Sequence, residues 1–138
     1  MHQPRLSHQI HRAYPAPGTV VSVPIALGFR HKGIVSDRWL NGKPMVISGS
    51  NRMGYVVEET WDVFSGGIEH RVENIDGVVS GMTAVMRARS KVGTTYSLLE
   101  WNCDHVVHYA VGLEPRSPQI AFCVAGLALF AIAVRARL

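Results

Sequence analysis

The stretch Asn102-Cys103-Asp104-His105 sets a thiol, a carboxylate and an imidazole side by side at the entrance to an apolar, helix-like run, Val106-Val107-His108-Tyr109-Ala110-Val111. Asn102 is a strong N-cap residue, because its side-chain oxygen can accept from the free backbone N–H groups of a first helical turn. Cys103 then becomes the first helical residue, where unpaired N–H groups and the helix dipole favour an anion and so a thiolate. Asp104 adds a like charge to the same turn and opposes that ionisation. Cys103, Val106, Val107, Ala110 and Val111 recur at i, i+3, i+4, i+7 and i+8, which places the sulfur at the open end of the buried stripe. His105 and His108 project away from that stripe, so an imidazole able to activate Cys103 has to come from elsewhere in the chain. An inert, buried cysteine fits the helix position equally well.

The 138 residues carry a net charge of +4 and a pI near 9.4, with hydrophobic content ordinary for a globular chain. That length suits one domain with a real core. The basic residues are scattered, with no basic helix and no aromatic–basic alternation, so nucleic acid is not an expected partner. The two cysteines, Cys103 and Cys123, match neither a disulfide framework nor paired zinc-ligand spacing, and no metal or cofactor is expected. Residues 1–17 contain histidine and proline but no apolar stretch. They read as a loose leader without a signal peptide.

The elements that must position Cys103 follow from periodicity. Thr19–Val23 has strand composition and stops at Pro24. Phe29 to Trp39 alternates with period two, placing His31 on one face with Gly33 and Val35. Asn41-Gly42 predicts a hairpin turn into Lys43–Ser50, a strand that carries Ser48. Arg52–Phe64 predicts a further strand and a turn at Ser65-Gly66-Gly67, and Gly67–Asn74 a loop or edge strand. Asp76–Lys91 predicts a helix, with Val78, Met82, Val85 and Met86 on its core face and Gly93 as its stop. The Cys103 helix ends near Gly112. Strands first and helices later argue for α+β with an antiparallel sheet.

Residues 120–134, Ile120 to Val134, contain no polar side chain apart from the thiol of Cys123. As a helix they would span roughly 22 Å against a hydrocarbon core of about 30 Å, with Arg135 and Arg137 able to snorkel at one end. A helix apolar on every face needs cover all round, which a domain this small offers poorly. Residues 118–138 are therefore expected to be a hydrophobic helix and membrane anchor, single-pass, with the domain on the cytoplasmic side.

The segments Arg30–Arg38, Pro44–Ser50, Val56–Gly67, Thr95–Gly112 and the Ser117-Pro118-Gln119 before the apolar run occur in an order that resembles the lecithin:retinol acyltransferase domain family. That family is a branch of the NlpC-like, papain-like thiol enzymes. The resemblance covers residues 18–117, a single domain, and the apolar tail. Asn102-Cys103-Asp104-His105-Val106-Val107 resembles the family's Asn-Cys-Glu-His-Phe-Val signature, and His31-Lys32-Gly33-Ile34-Val35 resembles its histidine strand. The resemblance implies a circularly permuted papain-like fold, with Cys103 as nucleophile and His31 as general base. Asn102, Asp104 and His105 would support the motif and the oxyanion. In the animal acyltransferases a second histidine stands where this chain has Ser48, which can exchange one hydrogen bond with an imidazole but cannot share a ring proton. His70, in a polar segment, is the alternative to His31. Trp61, Trp101 and Tyr96 are expected to pack, or to line an acyl groove. The implied chemistry is acyl transfer from, or hydrolysis of, an acyl lipid such as a phospholipid through an acyl-cysteine. A peptidase or amidase acting on a peptide substrate and a non-enzymatic, membrane-tethered module remain as alternatives.

Overall fold

The computed structural model describes residues 13–137. In chain order the elements are β1 (Val20–Pro24), β2 (Arg30–Leu40), β3 (Lys43–Ser50), β4 (Tyr55–Glu59), α1 (Trp61–Ser65), β5 (Arg71–Val72), α2 (Gly81–Arg89), α3 (Cys103–Ala110) and α4 (Pro118–Arg137). The strands form one antiparallel sheet in the order β4-β3-β2-β1-β5, so the chain is α+β, as the element order predicts. Asn41 and Gly42 link β2 to β3 with φ of 53° and 74°. Positive φ at both central residues matches a two-residue connection to the right-handed twist of its strands.

Period-two alternation splits the core into two layers. Ile34 and Ile47, paired across β2 and β3, join Val20 and Val56 beneath Val85 and Ala88 of α2 and Val106 and Val107 of α3. The neighbouring pair Val35 and Val46 faces the other way, against Val21, Val23 and the Trp61 and Phe64 side chains of α1. Tyr14 closes this second layer, edge-on to Trp39 and Trp61 with ring centroids 5.9 and 5.0 Å away. Ordered packing therefore begins before residue 18. Residues 1–12 of the expected leader lie outside the described residues.

Three sequence expectations are corrected. Where the strand was predicted to run on to Phe64, Thr60 caps the short helix α1 by accepting from the Val63 N–H at 3.2 Å, and the chain then turns at Gly66-Gly67, within the turn predicted there. The helix predicted from Asp76 starts only at Gly81. Before it, the N–H groups of Val78 and Val79 both donate to the Val111 carbonyl, at 2.9 and 3.1 Å, so this backbone is tied to the end of α3 and not coiled on itself. Gly77 permits the approach: a Cβ there would stand 2.5 Å from Val111 Cβ. The buried face of α2 is Ala84, Val85 and Ala88, while Met82 and Met86 are 45% and 66% exposed. Small side chains let α2 lie close to the sheet, and the methionines predicted for the core are outside it.

The β2–β3 register shifts between Val35 and Trp39, and an ionic cluster fills the irregularity. Arg89 of α2 donates to Asp37 at 2.6 Å and to Glu58 at 2.8 and 3.1 Å, and Ser36 donates to the same Glu58 carboxylate. Burial pushes Glu58 up, but the hydrogen bonds of Arg89 and Ser36 and the nearby guanidinium charges hold it below its ordinary 4.5. A depressed carboxyl contributes stability that is complete above its unfolded pKa and lost as pH falls through the folded one. Arg89→Met should cost about 1.5–3 kcal/mol at neutral pH, because it removes the charged donor that binds both oxygens of a covered carboxylate and leaves it only Arg38 and Ser36. It should also flatten the fall in melting temperature between neutral pH and pH 4. Melting curves that match the wild type at both pH values would reduce the cluster to ordinary surface pairing.

Candidate active site

Asn102 caps α3, accepting from the Asp104 and His105 N–H groups at 2.9 and 3.3 Å, and its amide donates to the Leu98 carbonyl at 2.8 Å. His105 completes the cap from the other side: its Nδ1 accepts from the Asn102 N–H at 3.1 Å. The imidazole is thus a structural acceptor, stacked on Trp101, and not an acid or base for Cys103. Cys103 is the first residue of α3, as predicted. Asn102 occupies the next two backbone donors, and the Cys103 N–H has no protein acceptor among the described residues. The helix start lies close to β3 because residue 49 is glycine: a Cβ there would stand 3.1 Å from both Cys103 N and Asn102 C.

Asp104 is fully buried and joins three elements. Its Oδ1 lies 2.9 Å from Lys32 Nζ of β2, an ion pair without good hydrogen-bond angles. Its Oδ2 accepts from Ser117 at 2.8 Å and from Gln119 at 3.0 Å, at the start of α4. Gln119 also brackets Arg30, accepting from its N–H at 2.8 Å and donating to its carbonyl at 3.2 Å. The Cys103 thiol points at that same Arg30 carbonyl, 3.9 Å away. Burial pushes Asp104 up, but its bonds from Lys32, Gln119 and Ser117 hold it below the ordinary carboxylate range.

His31 and Cys103 line one cavity of about 680 Å³, together with Phe29, Phe64, Tyr96 and Ile120. They are not hydrogen-bonded to each other. Strand alternation turns Lys32 toward α3 and His31 toward α1, where its ring packs on Phe64 at 4.9 Å. His31 Nε2 lies 3.4 Å from Ser48 Oγ. That is the partnership expected from sequence, at the long end of hydrogen-bond range. His70 packs edge-on against Trp61, 4.9 Å away, and is not among the cavity residues. Tyr96 lines the cavity, whereas Trp61 and Trp101 belong to the cores.

The charge state also departs from the sequence expectation of a thiolate. Burial pushes the Cys103 thiol up, and the Asp104 charge adds to this; N–H groups of Lys32 and Asp104 and the Lys32 ammonium oppose it and lose. Burial also pushes His31 down from 6.5 to about 4. Both directions favour the neutral thiol and the neutral imidazole, because burial penalises each charge more than the helix start rewards the sulfur's.

Lys32, Ser117, Gln119 and Gly49 had no assigned role in the sequence reading. The alternation that put His31 on one face already required Lys32 on the other, and Asp104 was the carboxylate available to it. No protein-family model matches this chain, and comparison with curated proteins finds no relative. Among the described residues no cluster of three or more His, Cys, Asp or Glu could hold a metal ion.

Alkylation of Cys103 by iodoacetamide across pH should titrate above the roughly 8.5 of a free cysteine. Asp104→Asn removes a repelling charge and should lower the midpoint, whereas Lys32→Met removes an attracting one and should raise it. A wild-type midpoint below 8.5, or shifts of the opposite sign in folded variants, would overturn this account of the site's electrostatics.

Proposed function

We propose that this chain is a thiol acyl enzyme of the lecithin:retinol acyltransferase type, built on a permuted papain-like arrangement and acting on an acyl lipid. The observation that carries the reading is the cavity shared by Cys103, at a capped helix start, and His31, on an adjacent strand. In the proposed reaction the Cys103 proton passes to His31, and Sγ bonds to the carbonyl carbon of an ester. The Cys103 N–H, which has no protein acceptor among the described residues, would donate to the oxyanion. The carbonyl reforms, the alkoxide leaves with the proton from His31, and a thioester remains on Cys103. Water resolves it as a hydrolase, an alcohol or amine as a transferase. A neutral His31 is the correct form for a base, and Ser48 orients its ring.

An acyl lipid is favoured over a peptide by the cavity's apolar wall and by α4. That helix has 20 residues, a mean hydropathy of 2.0 and no buried residue. It is about 30 Å long, of which the apolar run 120–134 supplies roughly 22 Å, so a crossing would need Arg135 and Arg137 to snorkel. Arg135 and Arg137 stand at the end remote from the domain, so positive-inside counting on α4 itself does not favour the cytoplasmic side for the domain. The missing thiol–imidazole bond favours a second reading, a tethered module without catalysis.

A short-chain phosphatidylcholine, mixed with the full chain and quenched in acid, should add the mass of one acyl group to the peptide containing Cys103. Hydroxylamine should remove it. Cys103→Ala should abolish labelling, His31→Ala should slow it about 100-fold or more, and Ser48→Ala should slow it less than His31→Ala. Labelling by an activated peptide ester alone would replace the lipid reading with an amidase. Labelling by neither, in a folded protein, would leave the module.

The labelling rate should hold from pH 7 down to about pH 5 and fall only as His31 gains its proton near 4. A fall centred on 6.5 would show an ordinary, solvated imidazole.

A further inference from the structure

Three apolar elements that differ in sequence and structure meet at the cavity mouth. The first is the loop between β1 and β2. Its two ends, Ile25 and Phe29, line the cavity and are joined by a 2.9 Å backbone hydrogen bond. At its tip Leu27 holds a left-handed backbone with φ of 60° and is 93% exposed. Glycine or asparagine relieves such a backbone, and a bulky aliphatic residue does not. A strained backbone that presents a leucine to the outside points to something that covers the leucine. The second element is the tight turn closed by the Ser97–Trp101 bridge, just before Cys103. Leu98 lines the cavity from this turn, and Leu99 beside it is 69% exposed. The third is α4, whose first turns line the cavity through Ile120 and Cys123 before the helix runs on with no residue buried.

We infer that Leu27 and Leu99 form an interfacial rim that seats the mouth of the cavity on a phospholipid bilayer. The inference rests on the membrane reading of α4 and gives that reading a specific contact surface. The occupant is lipid and not a second protein surface because the patch is continuous with α4, whose run 120–134 is apolar on all sides and uncovered by the domain. Charge agrees at the base of α4. Arg116 is exposed immediately before Ser117, within reach of a lipid phosphate, whereas Arg52, which lines the cavity, is already paired with Glu59 at 3.1 Å. An aliphatic rim with an adjacent exposed arginine is the pattern of a surface lying in the headgroup boundary. An acyl chain could then enter the cavity from the bilayer without crossing water.

The test uses the full chain in phosphatidylcholine–phosphatidylserine vesicles, with Cys103 and Cys123 replaced by serine. A single environment-sensitive fluorophore is attached through Leu27→Cys, Leu99→Cys or Leu40→Cys. Leu40 is an exposed leucine at the far end of β2 and serves as the control. The fluorophore at 27 and at 99 should shift its emission to the blue and lose intensity to lipids with a nitroxide near the headgroup. The fluorophore at 40 should do neither. If the protein floats with the vesicles but 27 and 99 behave like 40, α4 anchors the chain and the rim idea is wrong. Shielding of 27 and 99 in detergent without lipid, with cross-linking between chains, would show a second copy as the cover. A chain that does not float removes the anchor and the rim together. None of these outcomes depends on whether Cys103 forms a thioester.

Discussion

The ion pair between Lys32 and Asp104 is the contact on which the rest of the site depends. Lys32 belongs to the central strand, Asp104 to the first turn of the cysteine helix, and the same carboxylate holds Ser117 and Gln119 at the base of the tail. A buried carboxylate is stable only when its charge is matched and its remaining lone pairs are filled. Here the ammonium supplies the match and two neutral donors supply the filling. One acidic side chain thus sets the helix against the sheet and the tail against both. Loss of one partner would leave a charge uncompensated beside Cys103, so the site's geometry and its electrostatics cannot be varied separately.

The fold was legible in the sequence where local physics and tertiary packing agree. The alternation of β2, the Asn41-Gly42 turn and the Asn102 cap each dictate a local structure that the sheet then uses. Legibility failed where a long-range contact replaced a local preference. Val78 and Val79 satisfy their N–H groups on Val111, a residue far along the chain, so the first part of a run with helical spacing stays out of the helix. Met82 and Met86 were given to the core by period alone, but the space under α2 admits alanine and valine.

The site was legible in its parts and less so in its state. Cys103 could be picked out by type and position, His31 and Ser48 only through the family resemblance, and the cavity gathers Cys103 and His31. The thiolate expected at the helix start could not be judged without knowing how much water the cavity excludes. Desolvation acts on both partners and favours the neutral form of each. The orientation of His31 toward Phe64 followed from strand parity, but its consequence for the sulfur needed the position of α3, which no single segment encodes.

Gln119 engages Arg30 as a neighbouring strand would, taking its N–H and giving to its carbonyl. It is also the second residue of α4. No slack chain therefore separates the long helix from the strand that carries His31. Mechanically, α4 is a lever about 30 Å in length whose fulcrum is a peptide group adjoining the proposed general base. Leaning of that lever would load the two Gln119–Arg30 hydrogen bonds first, at the carbonyl toward which the Cys103 thiol points.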